Sequence, residues 1–314
     1  MTDTLKLSFV IPLCNEEATI GPLFEQIQEV VQTNKLGSFE VIFIDDGSDD
    51  DSWSKLTELK AKYGSLIQLI RFRRNQGKAA ALDTGFRKAS GEIVFTIDAD
   101  LQDDPQEIPA FIEKLDEGYD LVSGWKQHRK DPLGKTLPSR FFNWATRAAS
   151  GVKLNDFNCG FKAYRSDALA DINLYGELHR YIPVLVAASG YTIAEIPVKH
   201  HERTHGVSKY GWKRLFKGGL DLMTVILLTR YLRRPGHFFG GLGLLCGSLG
   251  FTILLILSIQ KIVWSMHIGA RPLFFLGILL MLLGFQLVST GLLAELIQGN
   301  RSIAKPPQRT LKDY

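Results

Sequence analysis

Two long apolar stretches near the C-terminus constrain the fold of this chain more than any other feature. Phe238–Gln260 and Pro272–Ala294 contain no Asp, Glu, Lys or Arg, and each is long enough to cross the hydrocarbon core of a bilayer as a helix. A buried helical hairpin in a soluble core is the alternative, but two such runs in tandem are rare in soluble folds. We therefore expect a two-helix transmembrane anchor, with helices over about 238–260 and 272–294.

Basic residues around these stretches predict their orientation. The segment Lys209–Arg234 carries seven Lys and Arg residues and the tail after Ala294 carries four, whereas the connection between the stretches has only Lys261 and Arg271. The positive-inside rule then puts both termini in the cytoplasm of a multi-pass plasma-membrane protein. The stretch 211–235 mixes cations with a wide apolar face, as an amphipathic interfacial helix does. We expect a catalytic domain over 1–210, the interfacial region over 211–235 and the anchor with a cytoplasmic tail over 236–314.

The net charge changes sign along the chain. Residues 1–120 carry a net charge of −11, and residues 121–314 a net charge of +15. An acidic first part suits a site that holds a cation, and a basic second part suits contact with anionic lipid or a phosphorylated partner. Ordinary solvated surface explains many of these charges as well. The three cysteines have no metal-ligand spacing, which favours a reducing, cytosolic setting for the catalytic domain.

Short apolar runs alternate with helical stretches from Leu5 to about Gly124. The runs read LKLSFVIPL, FEVIFID, LIQLIRF, EIVFTID and YDLVSG, and they are almost continuously apolar, as strands buried on both faces are. This alternation predicts an α/β domain with a mostly parallel sheet covered by helices, whose binding crevice lies at the C-terminal ends of the strands. Beyond it we expect a helix over about 136–150 and a further strand in YTIAEIPV.

The segment EIVFTIDADLQDDP is the strongest candidate for a metal site. Its strand ends at Asp98, and Asp100 and Gln102 follow at alternate positions, so that three oxygen donors can converge on one point. Such hard ligands suit magnesium or manganese, and a site with few protein ligands leaves room for the phosphates of a nucleotide. We interpret Asp103 and Asp104 as a solvated acidic turn.

Three further segments supply candidate contacts. VIPLCNEE and VIFIDDGSDDD follow the first two strands, where a carboxylate can accept hydrogen bonds from a base or a ribose. RRNQGKAAALDTGF places Gly77 and Lys78 at a helix start, which suits an anion or base contact.

The motifs VIPLCNEE, IDDGSDD, RNQGKAAALDTGF, DADLQDDP, DFNCGFKAYR and ERTHGVSKY occur in the order seen in polyprenyl-phosphate glycosyltransferases of family 2. Over about residues 5–235 the chain resembles the dolichol-phosphate mannose synthase group and its bacterial relatives that glycosylate undecaprenyl phosphate. The resemblance implies a GT-A fold, which is Rossmann-like and agrees with the α/β pattern.

The resemblance also implies roles for individual residues. Nucleotide contacts are carried over to Pro12, Glu16, Asp45, Lys78 and Asp98, and the metal and diphosphate site to Asp98, Asp100 and Gln102. Arg203 and Ser208 resemble the segment that meets the donor diphosphate and the lipid phosphate. Cys14 stands where many relatives have Tyr. The stretch GWKQHRKDPLGK replaces the family's Ser-Arg-Tyr acceptor loop, which leaves Lys126, Arg129 and Lys135 as candidate ligands of the acceptor phosphate.

Three residues are therefore expected to act in catalysis. Asp100 would hold the metal and Arg203 would clamp the attacking phosphate. Asp156 would orient the acceptor or stabilise positive charge on the sugar, or else it caps a turn in LNDFNCG.

The activity so implied is inverting transfer of one sugar from a UDP- or GDP-sugar to undecaprenyl or dolichyl phosphate, with a divalent cation, Mg or Mn. The partners would be the nucleotide sugar, the polyprenyl phosphate and the membrane; homo-oligomerisation stays open, and no nucleic-acid partner is expected. Two alternatives are a processive polysaccharide synthase, whose Gln-x-x-Arg-Trp motif is absent here, and an inactive sugar-nucleotide sensor or scaffold. A soluble-type nucleotidyltransferase would not need the two apolar stretches.

Overall fold

The computed structural model describes residues 6–127, 142–148, 150–170, 172–201, 235–265, 267 and 271–304. The chain divides into two compact units, Met1–Val225 and Ile226–Tyr314. The predicted interfacial segment 211–235 lies outside the described residues except for Pro235, so the domain boundaries predicted around it stay predictions.

The first unit is built on one seven-stranded sheet. Its strands are β1 (Lys6–Leu13), β2 (Ser38–Asp45), β3 (Ile67–Arg71), β4 (Ile93–Thr96), β5 (Leu121–Trp125), β6 (Lys162–Arg165) and β7 (Ile193–Pro197), in the spatial order β3-β2-β1-β4-β6-β5-β7. All pairs are parallel except that β6 runs antiparallel to both β4 and β5. The predicted mostly parallel α/β sheet is confirmed, with β6 as a strand that the sequence pattern did not indicate.

Helices follow most strands, as the alternating pattern predicts. The described α-helices of this unit are α1 (Ile20–Thr33), α2 (Ser52–Tyr63), α3 (Lys78–Lys88), α4 (Ile108–Asp116), α5 (Ser166–Leu169) and α6 (Ile182–Ala188). Short 3-10 turns cover Gly64–Leu66, Pro105–Glu107 and Leu178–Tyr181. Residues 142–148 are also helical, within the helix predicted over 136–150, whose remaining residues except 150 lie outside the described part.

Aromatic side chains fill the core between the sheet and its helices. The rings of Phe9 on β1 and Phe95 on β4 stack with centroids 5.1 Å apart, and Phe111 of α4 lies 4.4 Å from Phe161, next to β6. These rings are fully buried, which is why β1 and β4 are apolar on both faces.

The parallel register places several chain segments at one edge of the sheet. β1, β2 and β4 all end there, at Leu13, Asp45 and Thr96, whereas the antiparallel β6 begins there with Lys162 opposite Thr96. The loops after β1, β2 and β4 and the loop before β6 therefore meet at this edge, where α/β sheets bind their ligands.

The second unit contains two long apolar helices, α7 (Pro235–Trp264) and α8 (Pro272–Ala304). Both extend beyond the predicted stretches 238–260 and 272–294. Their apolar segments have mean hydropathies of 2.3 and 2.2 and are mostly exposed, with only 17% and 11% of the most apolar windows buried. A core helix of a soluble protein would be buried, so these helices have the length, composition and exposure of a membrane anchor.

Glycines set the packing of α7 against α8. A β-carbon on Gly243 would lie 2.7 Å from the carbonyl oxygen of Gly284, and one on Gly250 would lie 2.7 Å from that of Gly277. Gly291 lies opposite Gly236 with a looser fit, at 3.4 Å between its β-carbon position and Cα of Gly236. At Gly243 and Gly250 the two backbones therefore touch closely enough to require glycine, as in tightly packed membrane helices.

Candidate active site

An open cleft of about 240 Å³ lies at the sheet edge where the parallel strands end. Its walls come from the segment after β1, the loop after β2, the start of α3 and the loop after β4. The lining residues are Pro12, Leu13, Cys14, Glu16, Asp46, Lys78, Asp98, Ala99 and Asp100. The structure thus brings together five residues predicted as site residues from the sequence, namely Pro12, Glu16, Lys78, Asp98 and Asp100.

Lys78 and Asp98 form an ion pair in this cleft. The ammonium of Lys78, at the first residue of α3, contacts Oδ1 of Asp98, at the end of the β4 segment. Burial alone would raise the pKa of Asp98, but the charge and hydrogen bond of Lys78 outweigh it and lower the pKa to about 2. Asp98 is therefore a carboxylate at every physiological pH.

The pKa of Asp100 is shifted in the opposite direction to that of Asp98. Burial, together with the carboxylates of Asp98 and Asp103, raises the pKa of Asp100 to about 6. Its Oδ1 accepts a hydrogen bond from the backbone N–H of Gln102 at 3.2 Å, and Nε2 of Gln102 donates to the carbonyl oxygen of His201 at 3.3 Å. The cleft thus holds concentrated negative charge beside Asp100, where a cation would relieve repulsion.

The residues present fit a divalent cation that is shared with a substrate. The described residues include no group of three or more His, Cys, Asp or Glu side chains able to hold a metal by themselves. Asp98, Asp100 and the side-chain oxygen of Gln102 offer hard oxygen ligands, and a magnesium-type site commonly completes its shell with substrate phosphates.

Asp103 does not belong to a solvated turn, so that interpretation is wrong. Its side chain is fully buried and lies 2.8 Å from the ammonium of Lys126, which is itself only 12% exposed. Burial would lower the pKa of Lys126, but Asp103 outweighs it and raises the pKa, so Lys126 stays protonated. Lys126, predicted as an acceptor ligand, is thus committed to an internal ion pair that links the end of β5 to the loop after β4.

The two acids after β2 have different surroundings. Asp45 is fully buried, with Oδ2 at 3.1 Å from Nε of Arg71 and Oδ1 accepting from the N–H of Ser48 at 2.8 Å. Asp46 accepts from the N–H groups of Gln76 and Gly77, at 2.6 and 2.9 Å, and lines the cleft. Asp46 therefore lines the cleft, whereas Asp45 supports the turn that carries it, and a nucleotide contact of Asp45 stays a prediction.

Asp156 caps a turn, which is one of the two roles considered for it. Its Oδ1 accepts from the N–H of Asn158 at 3.1 Å, and its own N–H donates to Glu195 of β7 at 2.8 Å. Glu195 also accepts from the N–H of Asn155, so one carboxylate fixes the loop before β6. A catalytic role of Asp156 stays a prediction. Arg129, Lys135, Arg203 and Ser208 lie outside the described residues.

Sequence reasoning missed two residues in the loop and strand that Asp156 precedes. Gly160 faces the carboxylate of Asp98, and the buried Lys162 enters the same region from β6. The signal was a lysine inside the apolar run FKAY, which is unusual for a strand next to a core.

Comparison with known proteins assigns a family to this site. Residues 8–172 match the family described as "Glycosyl transferase family 2". The chain is 40% identical over 298 residues, 94% of this chain and 88% of the relative, to a dodecaprenyl-phosphate galacturonate synthase of Rhizobium johnstonii. It is 34% identical over 294 residues, 93% of this chain and 88% of the relative, to an undecaprenyl-phosphate 4-deoxy-4-formamido-L-arabinose transferase of Klebsiella pneumoniae.

Solved structures agree on the fold. Glucosyl-3-phosphoglycerate synthase of Mycobacterium tuberculosis, in complex with Mn²⁺, UDP-glucose and phosphoglyceric acid, superposes with a TM-score of 0.52 at 21% identity, covering 72% of this chain and 79% of that one. The chain is therefore a GT-A-type enzyme, and it belongs to glycosyl transferase family 2, among the glycosyltransferases that act on polyprenyl phosphate.

Proposed function

We propose that this enzyme transfers one sugar from a nucleotide sugar to polyprenyl phosphate at the cytoplasmic membrane face, with inversion and with a divalent cation. The observation that carries the proposal is the cleft at the strand ends. Its lining offers an apolar surface at Pro12 and carboxylates at Glu16 and Asp46 to a nucleoside, together with the acidic pair Asp98 and Asp100. A diphosphate in this cleft would face the acidic pair only with a cation between them.

The residues have separate tasks in this reaction. Asp98 and Asp100, with Gln102, would hold the cation, which when bound supplies neutralising charge to the departing nucleotide diphosphate. Asp46 fixes the N–H groups of Gln76 and Gly77 and so holds the loop that leads into Lys78. The acceptor phosphate is already an anion near neutral pH, so alignment and charge stabilisation replace a strong general base.

The orientation and the acceptor end of the site belong to the same proposal. The basic flanks of the two apolar segments support cytoplasmic termini. The sequence ERTHGVSKY, between β7 and the first apolar helix, supplies Arg203 and Ser208 as candidates for the lipid phosphate, and Arg129 and Lys135 are further ones. Lys126 is a weaker candidate, because Asp103 already neutralises it.

The names of the relatives do not agree on the sugar. One relative is named for a uronic acid and the other for a formamido pentose, although both names include a polyprenyl phosphate. The donor sugar of this enzyme therefore has to be inferred from the residues that line its own site.

A reconstituted assay tests the proposal. The full-length enzyme in phospholipid vesicles with undecaprenyl phosphate is incubated with a panel of UDP- and GDP-sugars, and the lipid fraction is analysed by mass spectrometry. We expect one nucleotide sugar to give a lipid product heavier by one sugar residue, and chelator to abolish it. The anomeric coupling of that product by NMR reports inversion. Binding of nucleotide sugars without any lipid product would favour the sensor alternative.

A further inference from the structure

A second, small cavity lies next to the cleft, between the end of β4, the start of β6 and the segment before α6. Its volume is about 20 Å³, and it shares Lys78 with the cleft. Its polar lining is strongly basic, with Lys78, Lys162, His179 and Arg180. By a comparable measure one water needs about 10–15 Å³, so the cavity has room for one or two water-sized atoms, such as the two oxygens of a carboxylate whose carbon stays at its opening.

Lys162 is the least satisfied charge in this lining. Its side chain is buried, with the residue 3% exposed, and its ammonium donates to the carbonyl oxygens of Cys159 and, at 3.4 Å, Phe157. It makes no ion pair within the described part of the chain; Asp156 and Asp98 act on it only from a longer distance. Burial is the largest influence and lowers the pKa of Lys162, with Lys78 acting in the same direction, although Cys159, Asp156 and Asp98 act to raise it; the cation therefore carries a desolvation cost.

The other basic groups of the lining differ in their contacts. Arg180 makes an ion pair with Glu177 at 3.2 Å, and Lys78 is paired with Asp98. Nδ1 of His179 is buried and has no hydrogen-bond partner in the described part of the chain. Burial, followed by the charges of Lys78 and Arg180, lowers the pKa of His179 well below its usual value, so its ring is neutral and can donate from one nitrogen.

Lys162, whose acceptors in the described part of the chain are two backbone carbonyls, lines the same cavity as the unpartnered Nδ1 of His179, and such a lining suits an anion. A neutral hydroxyl would leave the charge of Lys162 uncompensated, whereas an anion would satisfy both donors. The cavity is too small for a sugar ring or for a whole phosphate. A carboxylate that projects from a larger molecule in the cleft matches the size and the charge.

We propose that this cavity receives the carboxylate of an anionic donor sugar, a uronic acid, and that Lys162 is the residue that selects it. The inference rests on the proposed function, because it needs a nucleotide sugar whose diphosphate lies at Asp98 and Asp100. Arg180 and His179 would share the carboxylate with Lys162. Lys78 would mark the passage between the cleft and the cavity, since it lines both.

Matched donor pairs test the inference. Glucuronate is compared with glucose, and galacturonate with galactose, each attached to the nucleotide that supports transfer in the vesicle assay; within a pair only C6 differs. We expect the wild-type kcat/KM for at least one uronate to exceed that for its hexose by more than tenfold. In Lys162→Met the ratio of uronate to hexose kcat/KM should fall on the order of 10- to 100-fold, the effect of losing a charge-assisted contact. The exposed Lys88→Met is the matched control, and its ratio should equal that of the wild type.

The outcomes separate the two proposals. Efficient transfer of a neutral sugar with no preference for either uronate overturns the carboxylate pocket and leaves the proposed function intact. Equal losses for both members of a pair in Lys162→Met would show that Lys162 is structural and would also overturn it. If Lys162→Met does not fold, Arg180→Gln takes its place with the same expected fall in the ratio. No lipid product from any sugar contradicts the proposed function itself.

Discussion

Gly160 lies against the carboxylate of Asp98, so closely that a β-carbon at residue 160 would be 2.5 Å from Oδ2 and 2.6 Å from Cγ of that side chain. The absence of a side chain at 160 is therefore what permits Asp98 to sit at the end of β4 within reach of Lys78. The loop before β6 and the acidic segment after β4 determine each other's position.

Replacement of Gly160 by alanine should therefore move Asp98. We expect Gly160→Ala to lower kcat/KM on the order of 100-fold, because an ångström-scale displacement of a positioning group costs about that much. The control is Gly21→Ala in α1, where a β-carbon would meet nothing within 4 Å. The measurement is lipid glycosylation with thermal unfolding alongside. Normal turnover by Gly160→Ala would show that the position of Asp98 is not critical.

The charge of Asp100 should be needed for transfer although it lowers the stability of the fold. Its folded pKa of about 6 lies above the usual aspartate value of 3.8. The carboxyl is therefore protonated and costs no stability below about pH 4, and its charge destabilises the fold as the pH rises through 6. Asp100→Asn removes that repulsion, so we expect it to abolish transfer and yet to raise stability at pH 7.5 without metal by up to about 2 kcal/mol, a figure reduced for solvent screening.

Thermal melts at pH 7.5 and pH 4, with and without Mn²⁺, check this. The gain should vanish at pH 4, and Mn²⁺ should raise the melting temperature of the wild type but not of Asp100→Asn. Glu29→Gln, at an exposed acid within α1, should change neither quantity. A destabilised Asp100→Asn, or full transfer in excess chelator, would contradict the assigned role.

Substitution of Arg203 tests whether this residue binds the acceptor phosphate. Lysine keeps the charge but cannot reproduce the bidentate fork of a guanidinium, so a phosphate clamp should fail in Arg203→Lys while membrane association persists. We expect at least a tenfold loss of kcat/KM for polyprenyl phosphate, measured at limiting lipid. An arginine that only contacts lipid headgroups would tolerate the change, and near-normal turnover would shift the role to Arg129 or Lys135.

The orientation of the anchor can be read by chemical labelling. In a background without the three native cysteines, His267→Cys, in the connection between α7 and α8, should react with a membrane-impermeant thiol reagent in intact cells. Lys312→Cys, in the basic tail, should react only after lysis. The reverse pattern would place the donor site on the wrong side of the membrane for a cytosolic nucleotide sugar.

The glycine contacts between α7 and α8 can be tested with a matched pair of variants. A β-carbon on Gly284 would lie 2.6 Å from the carbonyl oxygen of Gly243, whereas one on Gly241 would meet nothing within 4 Å. Both Gly284→Ala and Gly241→Ala gain about 1 kcal/mol of helix propensity, so their difference isolates packing. We expect a lower thermal aggregation midpoint in detergent for Gly284→Ala only. Equal midpoints would mean that the helices do not pack at Gly284.

Local patterns predicted the strands and the acidic segment well, because burial on both faces and the position after a strand are properties of neighbouring residues. The confirmed case is Asp98 and Asp100 at the end of β4. β6 escaped prediction because it has four residues and a lysine at its start, and because only its two neighbours make it a strand.

Two acids have partners that the sequence pattern did not indicate, for the same physical reason. Asp103 pairs with Lys126 and Asp45 pairs with Arg71, each across many positions of the chain. No local pattern shows which of two adjacent acids a distant cation will neutralise, so the choice between Asp45 and Asp46 required the fold. For the same reason the contact of Gly160 with Asp98 was not visible in the sequence.

The spacing of the glycines in α7 and α8 limits how the anchor can change in length. Gly236, Gly243 and Gly250 recur every seven residues, as do their partners Gly291, Gly284 and Gly277. A single-residue insertion within either helix would move a side chain into the facing backbone, whereas the connection between the helices carries no such restriction. Insertion of one full seven-residue repeat into both helices would lengthen the helix pair by about 10 Å. We expect an anchor of this kind to adjust to bilayers of intermediate thickness by tilting as a unit, because the length between its glycine contacts can change only by a full repeat.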